Sequence, residues 1–236
     1  MAIAYKRVII KISGEALAAE KKTGFDFSFV GAVCEQIKRC VALGAEIGIV
    51  VGGGNFWRGV KDGGGKIERV SADRMGMLAT AINCLALGDV LSQCGVKAKV
   101  LTAVDIQGVG ERYDTRRAVE YLEAGKIVLF ACGTGHPFFS TDTASVLRAA
   151  EIGADAILLA KNIDGVYDDD PRKNPAAVKF DRISYDEVLA RRLAVMDSTA
   201  TSMAMDNRIP VIVFALAEPE NIGRVLCGEK LGTLVK

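Results

Sequence analysis

Lys11 stands near the end of Val8-Ile9-Ile10-Lys11-Ile12-Ser13-Gly14, whose β-branched residues predict a buried parallel strand running into a tight turn. In open α/β sheets, ligands bind outside the carboxyl ends of the strands, so this ammonium would project into the ligand crevice. Buried without a partner it is unfavourable, and the position then calls for an anion. A lysine whose head reaches water from a strand end fits the same segment. Three further groups follow predicted strands: Gly52-Gly53-Gly54-Asn55 with Arg58, Thr134-Gly135 to Thr141-Asp142, and Asp164-Gly165-Val166-Tyr167 with Asp170. Glycine turns leave backbone N–H groups bare, and at a helix start these attract phosphate. Two phosphate-binding patterns are absent. A P-loop centred on Gly65-Lys66 would need glycine at Val60 and a hydroxyl at Ile67. The dinucleotide pattern G-x-G-x-x-G fails at Trp57 after Gly52-Gly53-Gly54 and at Phe138 after Gly133-Thr134-Gly135.

The elements that must position these groups alternate along the chain. Apolar spacing predicts a helix from Phe29 to Leu43, a strand at Glu46–Val51, a long helix from about Ser71 to Cys94 and a strand at Ala98–Ala103. A helix at Thr115–Ala124, a strand at Lys126–Ala131, a helix at Thr143–Ile152 and a strand at Ala156–Ala160 come next. Helical patterns at Tyr185–Leu193 and Ser198–Asn207, a strand at Val211–Ala215 and a short helix at Pro219–Leu226 complete it. Glu15 to Asp26 reads as a polar loop, Asp62 to Lys66 as a flexible loop, and Asp168 to Pro175 as an acidic turn. This rhythm predicts an α/β fold: a three-layer αβα sandwich around a mainly parallel sheet. No composition shift or repeat divides residues 1–236, so one domain is expected.

Thirty basic residues against 29 acidic ones give a net charge of +1, which supplies no field to recruit nucleic acid or membrane. The six cysteines include no C-x-x-C pair, so reduced core thiols are expected rather than disulfides or zinc, as in a cytoplasmic protein. No run of 18 apolar residues predicts a membrane helix, and the first residues do not read as a signal peptide.

The dispersed set resembles the amino acid kinase family in its Lys11-Ile12-Ser13-Gly14 turn and glycine-rich second turn. The segments Gly52-Gly53-Gly54-Asn55 with Arg58-Gly59, Asp73-Arg74-Met75-Gly76-Met77-Leu78-Ala79-Thr80, Gly133 to Asp142 with Pro137-Phe138-Phe139, and Val195-Met196-Asp197 are similar to the uridylate kinase branch. The likeness runs from about Tyr5 to Val235. Kinases of aspartate, acetylglutamate, glutamate or carbamate share the outline and lack these motifs.

The resemblance implies transfer of the γ-phosphoryl group of Mg-ATP to UMP, with Mg²⁺ carried by the nucleotide and no dedicated protein metal site. Lys11, Arg58 and Asp142 are then the catalytic residues, Asp142 orienting Lys11; as a residue before a helical run, Asp142 would otherwise be a cap. Lys11, Ile12, Ser13, Gly14, Gly54, Arg58, Lys161, Asn162, Tyr167 and Asp170 are implied for ATP. Gly53, Asp73, Thr134, Gly135, His136, Pro137, Phe138, Phe139, Ser140 and Thr141 are implied for UMP, Asp73 taking the ribose hydroxyls and the two phenylalanines an apolar wall. For the glycines, a tight turn with positive φ is the plainer reading; for Asp73, a first-turn carboxylate favoured by the helix dipole. Phe138 and Phe139 also read as a core pair, and Asp168-Asp169-Asp170 as a solvated turn or a metal cluster. His136 stands where asparagine is frequent in the family, and a solvent-facing turn residue is its plainer reading. The N-terminal part is expected on the UMP side and the part from about residue 155 on the ATP side. GTP activation, UTP inhibition and a homohexamer are implied as well. Another small-molecule kinase of the fold, or a non-catalytic nucleotide-binding or storage protein, are the alternatives.

Overall fold

The computed structural model describes residues 2–58, 62 and 65–236. Gly59 beside Arg58, and Gly63 and Gly64 of the expected flexible loop, lie outside them. In chain order the elements are β1 (Arg7–Ile12), α1 (Gly14–Ala18), α2 (Phe27–Ala42), β2 (Glu46–Val51), α3 (Arg69–Gln93), β3 (Ala98–Thr102), β4 (Glu111–Arg112), α4 (Thr115–Glu123), β5 (Ile127–Ala131) and α5 (Thr141–Ile152). There follow β6 (Ala156–Lys161), β7 (Val166–Tyr167), β8 (Lys179–Phe180), β9 (Arg182–Ile183), α6 (Tyr185–Ala190), α7 (Ser198–Asp206), β10 (Val211–Ala215), α8 (Asn221–Leu226) and β11 (Thr233–Val235). Nine strands form one sheet in the order β4-β3-β5-β2-β1-β6-β10-β11-β9. Every pairing in it is parallel except β10 with β11.

β1 is central, paired on one side with β2 and on the other with β6. Its alternate residues Val8, Ile10 and Ile12 enter a core with α1, α2, α3 and α8, whereas Ile9 belongs to the core beneath α4, α5, α6 and α7. A strand's side chains alternate between faces, so Lys11 leaves the sheet on the Ile9 side, toward α5. The β7–β8 hairpin is tied to the sheet by Thr233, whose Oγ1 accepts from the Val166 N–H at 2.8 Å and donates to the Phe180 carbonyl.

The expected loop from Glu15 to Asp26 holds α1 and a 3₁₀ turn at Ala19–Lys21, with Ala16, Leu17 and Ala18 buried. Five residues are too few to show a helical period. α3 begins at Arg69, before the expected Ser71, so Asp73 lies in its second turn instead of its first. Among the described residues α3 alone is long and apolar enough by composition to cross a bilayer, but Ala81, Cys84, Leu87 and Leu91 on one of its faces are buried within the first core. The six cysteines are free thiols, and burial pushes Cys34 and Cys40 up to about 12.

Candidate active site

Lys11 is 9% exposed, and its Nζ lies 2.6 Å from Asp142 Oδ1. Asp142 sits in the first turn of α5, whose cap is Ser140: its Oγ accepts from the Asp142 and Thr143 N–H groups at 3.0 and 3.2 Å. Capping is thus done by Ser140, which leaves the Asp142 carboxylate to the lysine, and Oδ1 has no other polar partner among the described residues. Asp197, the N-cap of α7, fixes Ser140 in turn, accepting from Ser140 Oγ, from Thr143 Oγ1 at 3.2 Å and from the Ala200 N–H at 2.9 Å. Lys161 ends β6, next to β1, and donates to the Val195 carbonyl. Burial draws its ammonium below the ordinary lysine value of 10.5; Asp142 opposes that shift and Lys11 adds to it. Two ammonium groups and one carboxylate therefore share one seam at the carboxyl edge of the sheet.

Close approach, not positive φ, explains the glycines here. Gly14, Gly52, Gly53 and Gly54 all have ordinary backbone angles. A side chain on Gly14 would collide with the Gly52 carbonyl and lie 2.7 Å from Asn55 Oδ1, so the two turns touch. A Cβ on Gly53 would stand 2.8 Å from Ala79 Cβ and 2.9 Å from the Gly76 carbonyl, which presses the second turn onto α3. Asn55 and Asn83, both buried, exchange amide hydrogen bonds at 2.9 and 2.7 Å, and Asn83 also donates to the Gly52 carbonyl at 2.7 Å. Arg58 stands at the rim: Nη2 is 2.9 Å from Glu15 Oε1 and Nε donates to the Gly54 carbonyl at 3.3 Å. The Ile12 side chain is in the core and its carbonyl accepts from the Gly52 N–H at 2.9 Å.

Two cavities open close to the Lys11–Asp142 pair: Lys11 lines the larger, and Ser140 and Thr141, just before Asp142, line the smaller. The smaller, about 140 Å³, is lined by Gly53, Asp73, Thr134, His136, Phe139, Ser140 and Thr141, together with Trp57, Thr80 and Cys132. Trp57 Nε1 donates to the Ala72 carbonyl at 2.8 Å, and Thr80 Oγ1 accepts from the N–H of Cys132, which has φ +66°. Gly135 (φ +82°) packs on the Ala103 carbonyl and, like Pro137, shapes the turn without lining the cavity. Phe138 corrects two expectations: it is 66% exposed, neither cavity wall nor core, and it contributes its N–H, which donates to Asp73 Oδ2 at 2.8 Å. Phe139 is exposed as well, so the two rings are not a core pair.

The larger cavity, about 680 Å³, is lined by Lys11, Ser13, Lys161, Asn162, Tyr167 and Asp170, and also by Arg191 and Arg192. Tyr167 donates to Asp164 at 2.8 Å. Asp168, Asp169 and Asp170 do not converge. Asp168 accepts from the Val178 N–H, Asp169 from the Asp170 N–H and Asn174, and Asp170 from Arg172. Among the described residues no three acidic, histidine or cysteine side chains are grouped to hold a metal.

The model of the amino acid kinase family matches residues 6–215. This chain belongs to the amino acid kinase family. Solved structures similar to it over nearly their whole length are UMP kinases: that from Bacillus anthracis (40% identity, TM-score 0.95, 98% of this chain and 96% of the other) and that from Ureaplasma parvum (36%, 0.93, 98% of both). The uridylate kinase from Archaeoglobus fulgidus is 27% identical with a TM-score of 0.76, over 97% of this chain and 99% of the other. Within this family member, Glu15, Asn83, Arg69, Arg191 and Arg192 are the site neighbours that sequence reasoning missed. Glu15 and Asn83 meet partners far along the chain, Arg58 and Asn55, where no local pattern marks them; Arg69 and Arg191 pair with residues four positions away, a spacing that by itself does not mark a site.

Proposed function

We propose that this amino acid kinase family member transfers the γ-phosphoryl group of ATP to UMP, yielding ADP and UDP for pyrimidine nucleotide synthesis. The observation that carries this reading is the Lys11–Asp142 pair, with Lys11 lining the larger cavity and Ser140 and Thr141, just before Asp142, lining the smaller; the likeness to UMP kinases supplies the substrate. The attacking oxygen belongs to a phosphate monoester whose second pKa is about 6, so it is already ionised and needs no general base. What remains is to bring two polyanions together, which is positioning and charge neutralisation. Lys11 bridges the transferring group and Asp142 orients it. Arg58 with the Gly54 amide holds ATP phosphates, exchanging Glu15 for phosphate, and Ser13 and Gly14 lie behind them; Ile12 contributes backbone only.

In the larger cavity Asn162, Tyr167 and Asp170 take adenine and ribose, while Lys161 reaches the phosphate side. In the smaller, Gly53 and Thr141 face the UMP phosphate, Asp73 the ribose, and Thr134, Gly135, His136, Pro137, Phe139 and Ser140 the base, with Phe138 acting through its N–H. The first cavity is lined by residues 53–141 and the second mainly by residues from 161 on, which supports an acceptor part and a donor part of one domain. Mg²⁺ enters with the nucleotide and screens its phosphates; the carboxylates of Asp168–Asp170, occupied within their own turn, do not fit a protein cage for it. A cytoplasmic setting agrees with six free thiols. GTP activation, UTP inhibition and a homohexamer belong to the same reading, and an exposed apolar stripe on α3 supports self-association.

The test is an acceptor panel with Mg-ATP, run with and without GTP or UTP. UMP should release ADP far faster than CMP, aspartate, glutamate or carbamate. Preference for another acceptor, or tight nucleotide binding without turnover, overturns the reading.

A further inference from the structure

Arg69 is the first residue of α3, and its Nε donates to Asp73 Oδ2 at 2.8 Å, one turn further on. Its guanidinium also lies over the Phe138 ring, 5.2 Å from the centroid. The Phe138 N–H donates to the same Oδ2 at 2.8 Å. One carboxylate oxygen therefore gathers donors from the helix and from the 134–139 turn. The other, Oδ1, takes no hydrogen bond from any described residue, and the side chain, 15% exposed, lines the smaller cavity. An ion pair of this spacing on an open helix face contributes little. This one differs because Asp73 is largely enclosed and because Phe138 is held at φ +71°, a region that bulky residues rarely enter. An exposed ring on a strained residue needs support, and the arginine over its face and the carboxylate under its amide provide it.

We propose that Arg69 is a positioning residue that sets substrate specificity: by fixing Oδ2 together with the Phe138 amide, it presents Asp73 Oδ1 alone to the ribose hydroxyls of the acceptor nucleotide. The proposal rests on the reading of the smaller cavity as the UMP site. A carboxylate turns freely about its last torsion, so without Arg69 its oxygens share the cavity direction and neither is held. A fixed acceptor discriminates strongly against a ligand that lacks the matching hydroxyl, because the oxygen that the ligand covers is then left unpaired.

The experiment compares UMP with dUMP as acceptors for the parent, Arg69→Leu, Asp73→Asn and the double variant, with thermal unfolding as a check on the fold. Arg69→Leu is expected to raise the KM for UMP about tenfold and to lower the UMP-over-dUMP ratio of kcat/KM about tenfold, while kcat falls less than about threefold. In the Asp73→Asn background the same substitution should change the ratio no further. If Asp73→Asn lowers the ratio while Arg69→Leu leaves it intact, or lowers it equally in both backgrounds, the role of Arg69 is overturned and the pocket reading stands. If Asp73→Asn itself leaves the ratio intact, the ribose reading of Asp73 falls, and the proposal with it.

Discussion

A nearly buried ammonium is tolerable only beside a nearly buried anion, and that requirement couples stability to chemistry at Lys11. The two tasks at the amino end of α5 are divided between near neighbours, Ser140 capping the helix and Asp142 facing the lysine. Their losses should therefore look different. Ser140→Ala removes a cap and should lower stability by about 1 kcal/mol. Asp142→Asn keeps the shape of the side chain and removes the preorganised charge, so kcat should fall about 100-fold or more with much smaller changes in KM for ATP and UMP. Steady-state kinetics beside circular dichroism check this. Lys11→Ala in a folded protein should lose at least as much rate; UDP synthesis at the parental rate would remove Lys11 from the mechanism.

At the scale of elements, α5 is held at both ends. Its amino end carries Asp142, and its carboxyl end is bolted to the start of the sheet by Arg7, whose Nη1 donates to the Ile152 carbonyl at 2.7 Å. The same guanidinium pairs with Glu46 at the head of β2 at 2.6 Å and with Glu123 at the end of α4 at 3.1 Å. Burial alone would raise the pKa of Glu46, but hydrogen bonds from Arg7 and Lys6 outweigh it and hold the carboxyl below 4.5. A carboxylate with a lowered folded pKa contributes stability that is present above its unfolded pKa and lost as pH falls through the folded one. Glu46→Gln should thus lower stability by about 1–2 kcal/mol at pH 7, and in urea titrations its gap from the parent should narrow as pH drops below 4.5. A gap that stays constant would locate the effect in packing. These elements also show what the sequence reveals and what it hides. β1, β2, β5, β6 and β10 are read directly from apolar runs, because strands buried on both faces have no polar side to mask them. The two-residue β4, β7, β8 and β9 have no period to read; each takes its register from a partner strand, and for β9 that partner, β11, lies far along the chain. The pairing of Lys11 with Asp142 is implied by the family resemblance and not by any local pattern, because it spans 131 positions and depends on β1 meeting α5. Phe138, which the resemblance implies as an apolar wall, keeps its ring exposed and gives its amide to Asp73 across 65 positions, a contact that no local pattern announces.

For the whole molecule, the surface of α3 is the feature that a lone chain leaves unexplained. One face of the helix is buried in the core, yet Met75, Leu78, Ile82 and Leu85, spaced to fall on one side, are 38–52% exposed. A helix that is apolar all round is ordinarily covered all round. Elsewhere on the exposed surface, Phe56 and Phe27 are apolar as well, each with its ring 5.4 Å from that of Phe25. Exposed apolar area of this kind marks an interaction face, and a two-fold contact would set the same stripe of two chains against each other. Carboxylates introduced into such a stripe face their own copies across the axis and repel. Leu78→Glu with Ile82→Glu should therefore weaken self-association roughly 100-fold or more and shift the sedimenting species to lower mass. Because Asp73, Gly76 and Thr80 of the same helix line the smaller cavity, the KM for UMP should rise in step with dissociation. An unchanged mass in the double variant would place the contact on another face and leave the stripe without a role in assembly.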